Sequence, residues 1–271
     1  MFLDSLTQNL HQSITRYPEV LKYLECRKVT IEDIKNYGLG FNKIVRVQEE
    51  DSPDCKRFLG ECDNGKKFEN RIVFPLRDML GSVVGIAGRS VEVKDYKIWA
   101  TEIAKQTGFF FGLDQALPHI YAENKVFVVE GTFDSIAYAK VFPNTVGTLT
   151  SGMNDLQYAL LSFFCDSIIT VFDSDKAGVL GKGLAGQRSQ NFESVEKHAT
   201  IYPIDLGDYR GVPDEFMPDV VSKKNVFVGK NPSGLAGRYK DPSAILQILG
   251  PEKFRELIIK RVNSVFPLFL K

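Results

Sequence analysis

The sequence predicts an α/β protein whose central part is a parallel sheet flanked by helices, and three observations carry that expectation. Between residues 124 and 172, the apolar runs KVFVVEG, NTVGTLT and SIITVF alternate with the helix-patterned segments TFDSIAYAKVF and MNDLQYALLSFF. Strands alternating with helices are the order that builds βαβ units. Ahead of them, RIVFPLRDMLGSVVGIAGRS alternates short β-rich runs with the turn signals DMLG and AGR, which predicts an antiparallel hairpin in a small α+β subdomain. Behind them, PSAILQILG and PEKFRELIIKRVNSVF read as a helical tail. Three parts are expected: an N-terminal α+β subdomain over 1–123, the parallel-sheet domain over 124–210, and a connection with a C-terminal helical segment over 211–271.

Element by element, residues 15–41 read as helices. PEVLKYLECRKV has apolar positions at helical spacing, and TIEDIKNYGLGF offers Thr30 as N-cap, Asp33 three positions on and Gly38 as a stop. Residues 51–70 are polar with Gly60 and Gly65 and read as loops or a hairpin. Residues 205–240, rich in Gly, Pro, Asp and Lys, read as a long connection.

Composition narrows the class. The chain of 271 residues is 44% hydrophobic and 25% charged, with 34 basic and 34 acidic side chains, as in ordinary globular proteins. No run approaches the roughly 18 to 20 apolar residues that cross a bilayer, and the start lacks the basic, apolar, small order of a secretory signal. A cytoplasmic location and no membrane partner are expected. Cys26, Cys55, Cys62 and Cys165 are scattered, so no zinc is expected and the thiols read as buried hydrophobes or plain surface residues. His11, His119 and His198 stand apart, and no chemistry is assigned to them. Residues 1–123 carry 17 basic and 18 acidic side chains, 124–210 carry 7 and 10, and 211–271 carry 10 and 6. Any surface for a polyanion must therefore be a local patch.

Four carboxylates stand out. Glu130 ends the VFVV strand, where open parallel sheets gather functional groups. Asp134 follows four residues later, one helical turn along the same face. Asp173 and Asp175 end the SIITVF strand, and an i, i+2 pair in extended chain points one way. If the two strands are neighbours, the four acids converge. Like charges that close raise one another's pKa, and a hard divalent cation resolves the conflict, Mg²⁺ or Mn²⁺ rather than zinc for oxygen ligands. Phosphoryl or nucleotidyl transfer follows from such a site. A lone D-x-D more often just terminates a strand; two acid motifs about forty residues apart, each ending an apolar strand, favour a site.

These motifs carry a resemblance. Glu130-Gly131 with Asp134, then Gly147-Thr148, then Phe172-Asp173-Ser174-Asp175-Lys176-Ala177-Gly178 resemble the TOPRIM domain of DnaG-type primases, type IA and II topoisomerases and some nucleases. The run from Arg71 to Asp78 with Gly81, Gly85, Gly88 and Arg89 is similar to the basic segment before TOPRIM in DnaG-type primases. Tyr23-Leu24 through Tyr37-Gly38-Leu39-Gly40 resembles their helical lead-in, and Lys240-Asp241-Pro242-Ser243 with Gly250-Pro251-Glu252-Lys253-Phe254 their closing acidic motif and helix. The resemblance spans about residues 15–260. It implies a TOPRIM parallel-sheet core, preceded by a small α+β basic subdomain and followed by a helical tail.

By the same resemblance Glu130 is a metal ligand or proton-transfer carboxylate, Asp173 and Asp175 hold Mg²⁺ (or Mn²⁺), Asp134 supports them and Asp241 contributes a further acid. Glu130, Asp173 and Asp175 form the implied catalytic set. Arg71, Arg77, Arg89, Lys97, Lys105 and Lys176 are the implied contacts to template and nucleotide phosphates, although each base taken singly reads as a solvated charge. Ser243 departs from the family's second Asp, and Ala100 stands near an expected Asn; Asp205 or Asp208 could stand in for the missing acid. The implied activity is a primase that makes short RNA primers on a single-stranded DNA template from nucleoside triphosphates. A TOPRIM nuclease and a non-catalytic accessory module binding DNA or helicase are the alternatives. The sequence shows neither a zinc-binding nor a helicase-docking module, which resembles compact phage or plasmid primases. A replicative helicase, a zinc-bearing protein or a single-strand-binding protein is therefore expected in trans.

Overall fold

The computed structural model describes residues 2–93, 95–150, 152–172, 200–203 and 242–265. It divides into two compact units, Met1–Leu117 and Pro118–Lys271.

The first unit opens with helices α1 (Phe2–Ile14), α2 (Pro18–Cys26) and α3 (Ile31–Asn36) and the short strand β1 (Gly40–Asn42). Helix α4 (Pro53–Glu61) and a 3-10 turn (Lys66–Phe68) follow, then strands β2 (Arg71–Arg77), β3 (Val83–Ser90) and β4 (Tyr96–Ala100), helix α5 (Glu102–Thr107) and the start of α6 (Leu113–Glu123). The strands form one antiparallel sheet in the order β1-β2-β3-β4. The expected hairpin is β2 and β3, with Phe74 opposite Ala87 and Ile72 opposite Arg89.

Local chemistry explains the helix starts. Thr30 caps α3 by accepting from the Asp33 backbone N–H, and the Asp33 side chain accepts in return from the Thr30 N–H, a complete capping box. The stretch expected as loops or a hairpin over 51–70 is instead largely helical. Ser52 accepts from the Cys55 N–H, and Pro53 occupies the first turn, where its missing N–H is harmless. Gly60 is carried inside α4, so this glycine does not mark a turn.

Helix α1 precedes the stretch expected to be helical. Its Phe2, Leu3, Leu6 and Leu10 join Cys55, Phe58, Cys62, Phe68, Val73, Ile86 and Trp99 in one buried cluster on one side of the sheet. A Cβ at Gly40 would stand 2.6 Å from the Leu10 Cβ, so α1 and β1 meet at a distance that only glycine allows.

The second unit contains β5 (Lys125–Val129), α7 (Thr132–Ala139), β6 (Thr145–Gly147), α8 (Asp155–Ser162), β7 (Ser167–Thr170), β8 (Thr200–Pro203) and α9 (Pro242–Val265). Its sheet runs β6-β5-β7-β8 with every described pairing parallel. Val126, Phe127, Val128 and Val129 are all fully buried, as are Ile168 and Ile169, the continuous apolar pattern of strands covered on both faces. At the opening ends of β5 and β7, Asn124 and Asp166 clamp one another: the Asn124 amide donates to the Asp166 carboxylate at 2.7 Å, and the Asp166 N–H donates back at 3.0 Å. Tyr138 of α7 meets Phe254 of α9 edge-on, ring centroids 4.9 Å apart. Gly250, at φ 76, breaks α9 between the two helical stretches that the sequence predicts. The expected connection over 205–240 lies outside the described residues. No described helix is long and apolar enough to cross a membrane.

Candidate functional site

The strand β5 ends at Val129, so Glu130 is the first residue beyond its carboxyl end. Gly131 is the N-cap of α7 and Asp134 lies in its first turn. A Cβ on Gly131 would stand 2.7 Å from Asp134 Oδ2. The Asp134 carboxylate is thus folded back against the backbone of the strand-to-helix junction, in space that any larger residue at 131 would fill.

Both neighbours of β5 bear on this junction. On one side the β6 ladder is prolonged past the strands: the Thr148 N–H donates to the Val129 carbonyl at 2.9 Å and the Leu149 N–H to the Glu130 carbonyl at 2.8 Å. On the other side lies β7, paired in register from Lys125 opposite Ser167 to Val128 opposite Thr170. The Val171 N–H continues that ladder to the Val128 carbonyl at 2.8 Å, and Phe172 is buried. The adjacency of the two acid-bearing strands, the condition for convergence, is therefore met. Asp173, Asp175, Lys176 and Asp241 lie outside the described residues. Among the described residues no three His, Cys, Asp or Glu gather as a metal-holding group.

The five bases of the first unit that the resemblance singles out, Arg71, Arg77, Arg89, Lys97 and Lys105, are placed on its antiparallel sheet and on α5. Arg71 bonds through Nη2 to Asp95 and through Nε to the Lys67 carbonyl at 2.9 Å. Lys97 reaches the same carboxylate at 3.4 Å. The Arg71 hydrogen bond, seconded by Lys97, holds the Asp95 carboxyl below its ordinary range. Arg77 donates to the Gly81 carbonyl at 2.8 Å, and its Nε lies 3.9 Å from Asp114. Lys105 pairs with Glu102 at 3.2 Å.

Arg89 differs from these four. Among the described residues it makes no ion pair, and its Nε is buried without a hydrogen-bond partner. Its cross-strand partners are Ile72 and Tyr96, whereas Gly88, one residue away, faces Lys97 and Val73. Opposed residues share a face and neighbours along a strand do not. Arg71 and Lys97 thus share one side of the sheet, and Arg89 takes the other.

Sequence reading missed the acids that organise these bases. Asp95 sits between Lys94 and Lys97 in the KDYK run, a spacing that could have suggested a shared partner. Asp114, in the first turn of α6, gave no such signal. Burial pushes its carboxyl up against the pull of Arg77. Burial, helped by Asp33 and Asp114, also raises the Tyr37 hydroxyl, whose ring stacks on Phe111 at 5.1 Å. The four cysteines are free thiols, and burial pushes Cys62 up to about 11, far from a reactive thiolate. His11 Nδ1 is 2.8 Å from the Leu39 carbonyl, a tie between α1 and the entry to β1.

An antiparallel sheet followed by a parallel sheet with acids at a strand-to-helix junction defines a mixed α/β protein, and the comparisons agree with that architecture. Residues 6–104 match the family model described as DNA primase catalytic core, N-terminal domain, and residues 127–188 match the Toprim-like family model. Along the chain the match to the primase catalytic-core model comes first and the match to the Toprim-like model second. Among curated proteins, a DNA primase of Rickettsia prowazekii is 28% identical over 262 residues, covering 91% of this chain and 39% of that protein. The chain thus spans about two fifths of the length of that relative. Among solved structures, a DnaG catalytic core superposes with a TM-score of 0.71 at 21% identity, covering 98% of this chain and 83% of that one. A DnaG primase catalytic domain bound to single-stranded DNA gives 0.69 at 22%, covering 98% and 81%. At such identities the likeness is one of fold.

Proposed function

We propose that this chain makes short RNA primers on a single-stranded DNA template by Mg²⁺-dependent nucleotidyl transfer. The observation that carries the reading is the junction at the carboxyl end of β5, where Glu130 and Asp134 flank Gly131 beside the strand that leads to Asp173 and Asp175. The DNA-primase relatives and the likeness to a DnaG domain bound to single-stranded DNA support it.

The donor set fits a hard cation: carboxylate oxygens are the ligands that Mg²⁺ prefers, and the bare Gly131 leaves room for the Asp134 carboxylate. Glu130, Asp134, Asp173, Asp175 and Asp241 would hold it. When bound, the ion neutralises charge that builds on the phosphate oxygens in the transition state. Glu130 would also take the proton of the 3′ hydroxyl of the growing strand, whose oxygen bonds to the α-phosphorus of the incoming triphosphate as the bond to pyrophosphate breaks, while Asp173 and Asp175 would hold the ion. No side-chain nucleophile is needed. Arg71, Arg77, Lys97, Lys105, Lys176 and above all Arg89 take the phosphates of template and nucleotide, a task suited to Arg forks and Lys point charges.

The reading is tested by incubating the chain with single-stranded template, labelled nucleoside triphosphates and Mg²⁺ or Mn²⁺, with and without a replicative helicase. Short RNA oligomers support it. Shortened labelled DNA without any need for triphosphates would show a nuclease instead, and binding of DNA with neither product would show an accessory module.

Arg89 offers a second measurement. Among the described residues its Nε lacks a hydrogen-bond partner, while Arg71 is bonded to Asp95. Arg89→Ala is therefore expected to weaken single-stranded DNA binding more than Arg71→Ala does, and to lower the slope of log affinity against log salt by about one. Fluorescence anisotropy over a salt series reads both, and equal losses would remove Arg89 from its leading place.

A further inference from the structure

Six described non-glycine residues have positive φ: Lys28, Asp63, Asn64, Asn70, Asn124 and Leu149. Five are Asn, Asp or Lys, and only Leu149, at φ 66, is apolar. Nothing in a leucine side chain favours that left-handed region, which Asn, Asp and Gly enter more readily. The conformation must be imposed by what the backbone does there. It turns the chain at the end of β6 so that the Leu149 N–H meets the Glu130 carbonyl at 2.8 Å, one rung beyond the bond from Thr148 to Val129.

The other end of the same turn is held by α8. Gln157, 3% exposed, donates through Nε2 to the Thr148 carbonyl at 3.2 Å. Its Oε1 accepts from the Asn154 N–H at 3.1 Å, and its own backbone N–H donates to the Asn154 side chain at 2.9 Å. A capping box ordinarily serves only the helix that it starts. Here the amide end of the same side chain also grips the loop that clamps Glu130.

We propose that Leu149 and Gln157 are positioning residues for Glu130, a backbone clamp that orients this acid toward the metal. The inference rests on the reading of Glu130 as a metal ligand. Partners one shell out commonly set ligand orientation, and losing one lowers metal affinity about tenfold or more.

The test is Mn²⁺ binding to the full chain, followed by calorimetry and by the electron paramagnetic resonance of free Mn²⁺. Thermal unfolding of each variant accompanies it. Leu149→Gly, which enters the left-handed region freely, is expected to bind Mn²⁺ at the parental affinity. Leu149→Ile, β-branched and opposed to positive φ, is expected to bind about tenfold more weakly and to lose primer synthesis through kcat rather than through template affinity. Gln157→Glu keeps an oxygen for the Asn154 N–H but offers Thr148 no donor, and is expected to weaken Mn²⁺ in the same sense. Should Gln157→Glu not fold, the Leu149 pair decides alone.

Glu130→Gln is the control that separates the two readings. If it weakens Mn²⁺ while folded Leu149→Ile and Gln157→Glu bind like the parent, the clamp is overturned and the ligand stands. If Glu130→Gln itself binds Mn²⁺ unchanged, the metal reading of Glu130 is overturned, and the clamp with it.

Discussion

Glu130→Ala is expected to abolish primer synthesis while leaving the chain folded. The residue lies just past the end of β5 and is only half-buried, and its backbone carbonyl keeps the bond from Leu149 in the variant. On the proposed reading, what is lost is one carboxylate at the metal. Ligation that neutralises transition-state charge contributes several kcal/mol, and each 1.36 kcal/mol is about tenfold in rate, so a loss of about a thousandfold in kcat is expected. Single-turnover extension of a preformed primer measures the step directly. Activity within about tenfold of the parent, equivalent to only one such increment, would remove Glu130 from the chemistry.

The largest stability effect is expected at Phe58. Its side chain is fully buried, with ring centroids 5.0 Å from Trp99, 5.6 Å from Phe2 and 5.9 Å from Phe68. These rings join α1, α4, the 3-10 turn and β4, so truncation opens a cavity where four elements meet. Phe58→Ala is expected to cost about 3 to 5 kcal/mol, a large part of the roughly 5 to 15 kcal/mol that typically holds a domain. Phe58→Leu should cost less, about 1.5 kcal/mol or under. The chain has one tryptophan, and Trp99 sits in this cluster, so its fluorescence in a urea titration reports the first unit. A midpoint unchanged by Phe58→Ala would mean that the cluster does not hold the unit together.

Much of the fold was legible. The alternation of KVFVVEG, TFDSIAYAKVF, NTVGTLT, MNDLQYALLSFF and SIITVF corresponds to β5, α7, β6, α8 and β7, because strands buried on both faces need unbroken apolar runs. Thr30 and Asp33 formed the capping box that their spacing predicts. Helix α4 was not legible: its polar face and Gly60 mimic a loop, and the cue was Ser52 before Pro53. The candidate site was legible as residue types at strand ends, and the pairing of β5 with β7 supplied the adjacency. The basic residues were less legible, because a positive charge in sequence does not reveal whether an acid such as Asp95, Asp114 or Glu102 already holds it.

By itself the sequence determined the order of elements from β5 to β7 and the place of Glu130 at the end of β5, since periodicity and residue chemistry are local properties. Only the tertiary structure decided that α1 closes the first core, that Arg89 alone of the five candidate phosphate-binding bases of the first unit has no acid partner among the described residues, and that the loop after β6 grips the Glu130 carbonyl. Each of these depends on contacts between residues far apart in the chain, and nothing in a local run of sequence encodes which distant group will arrive.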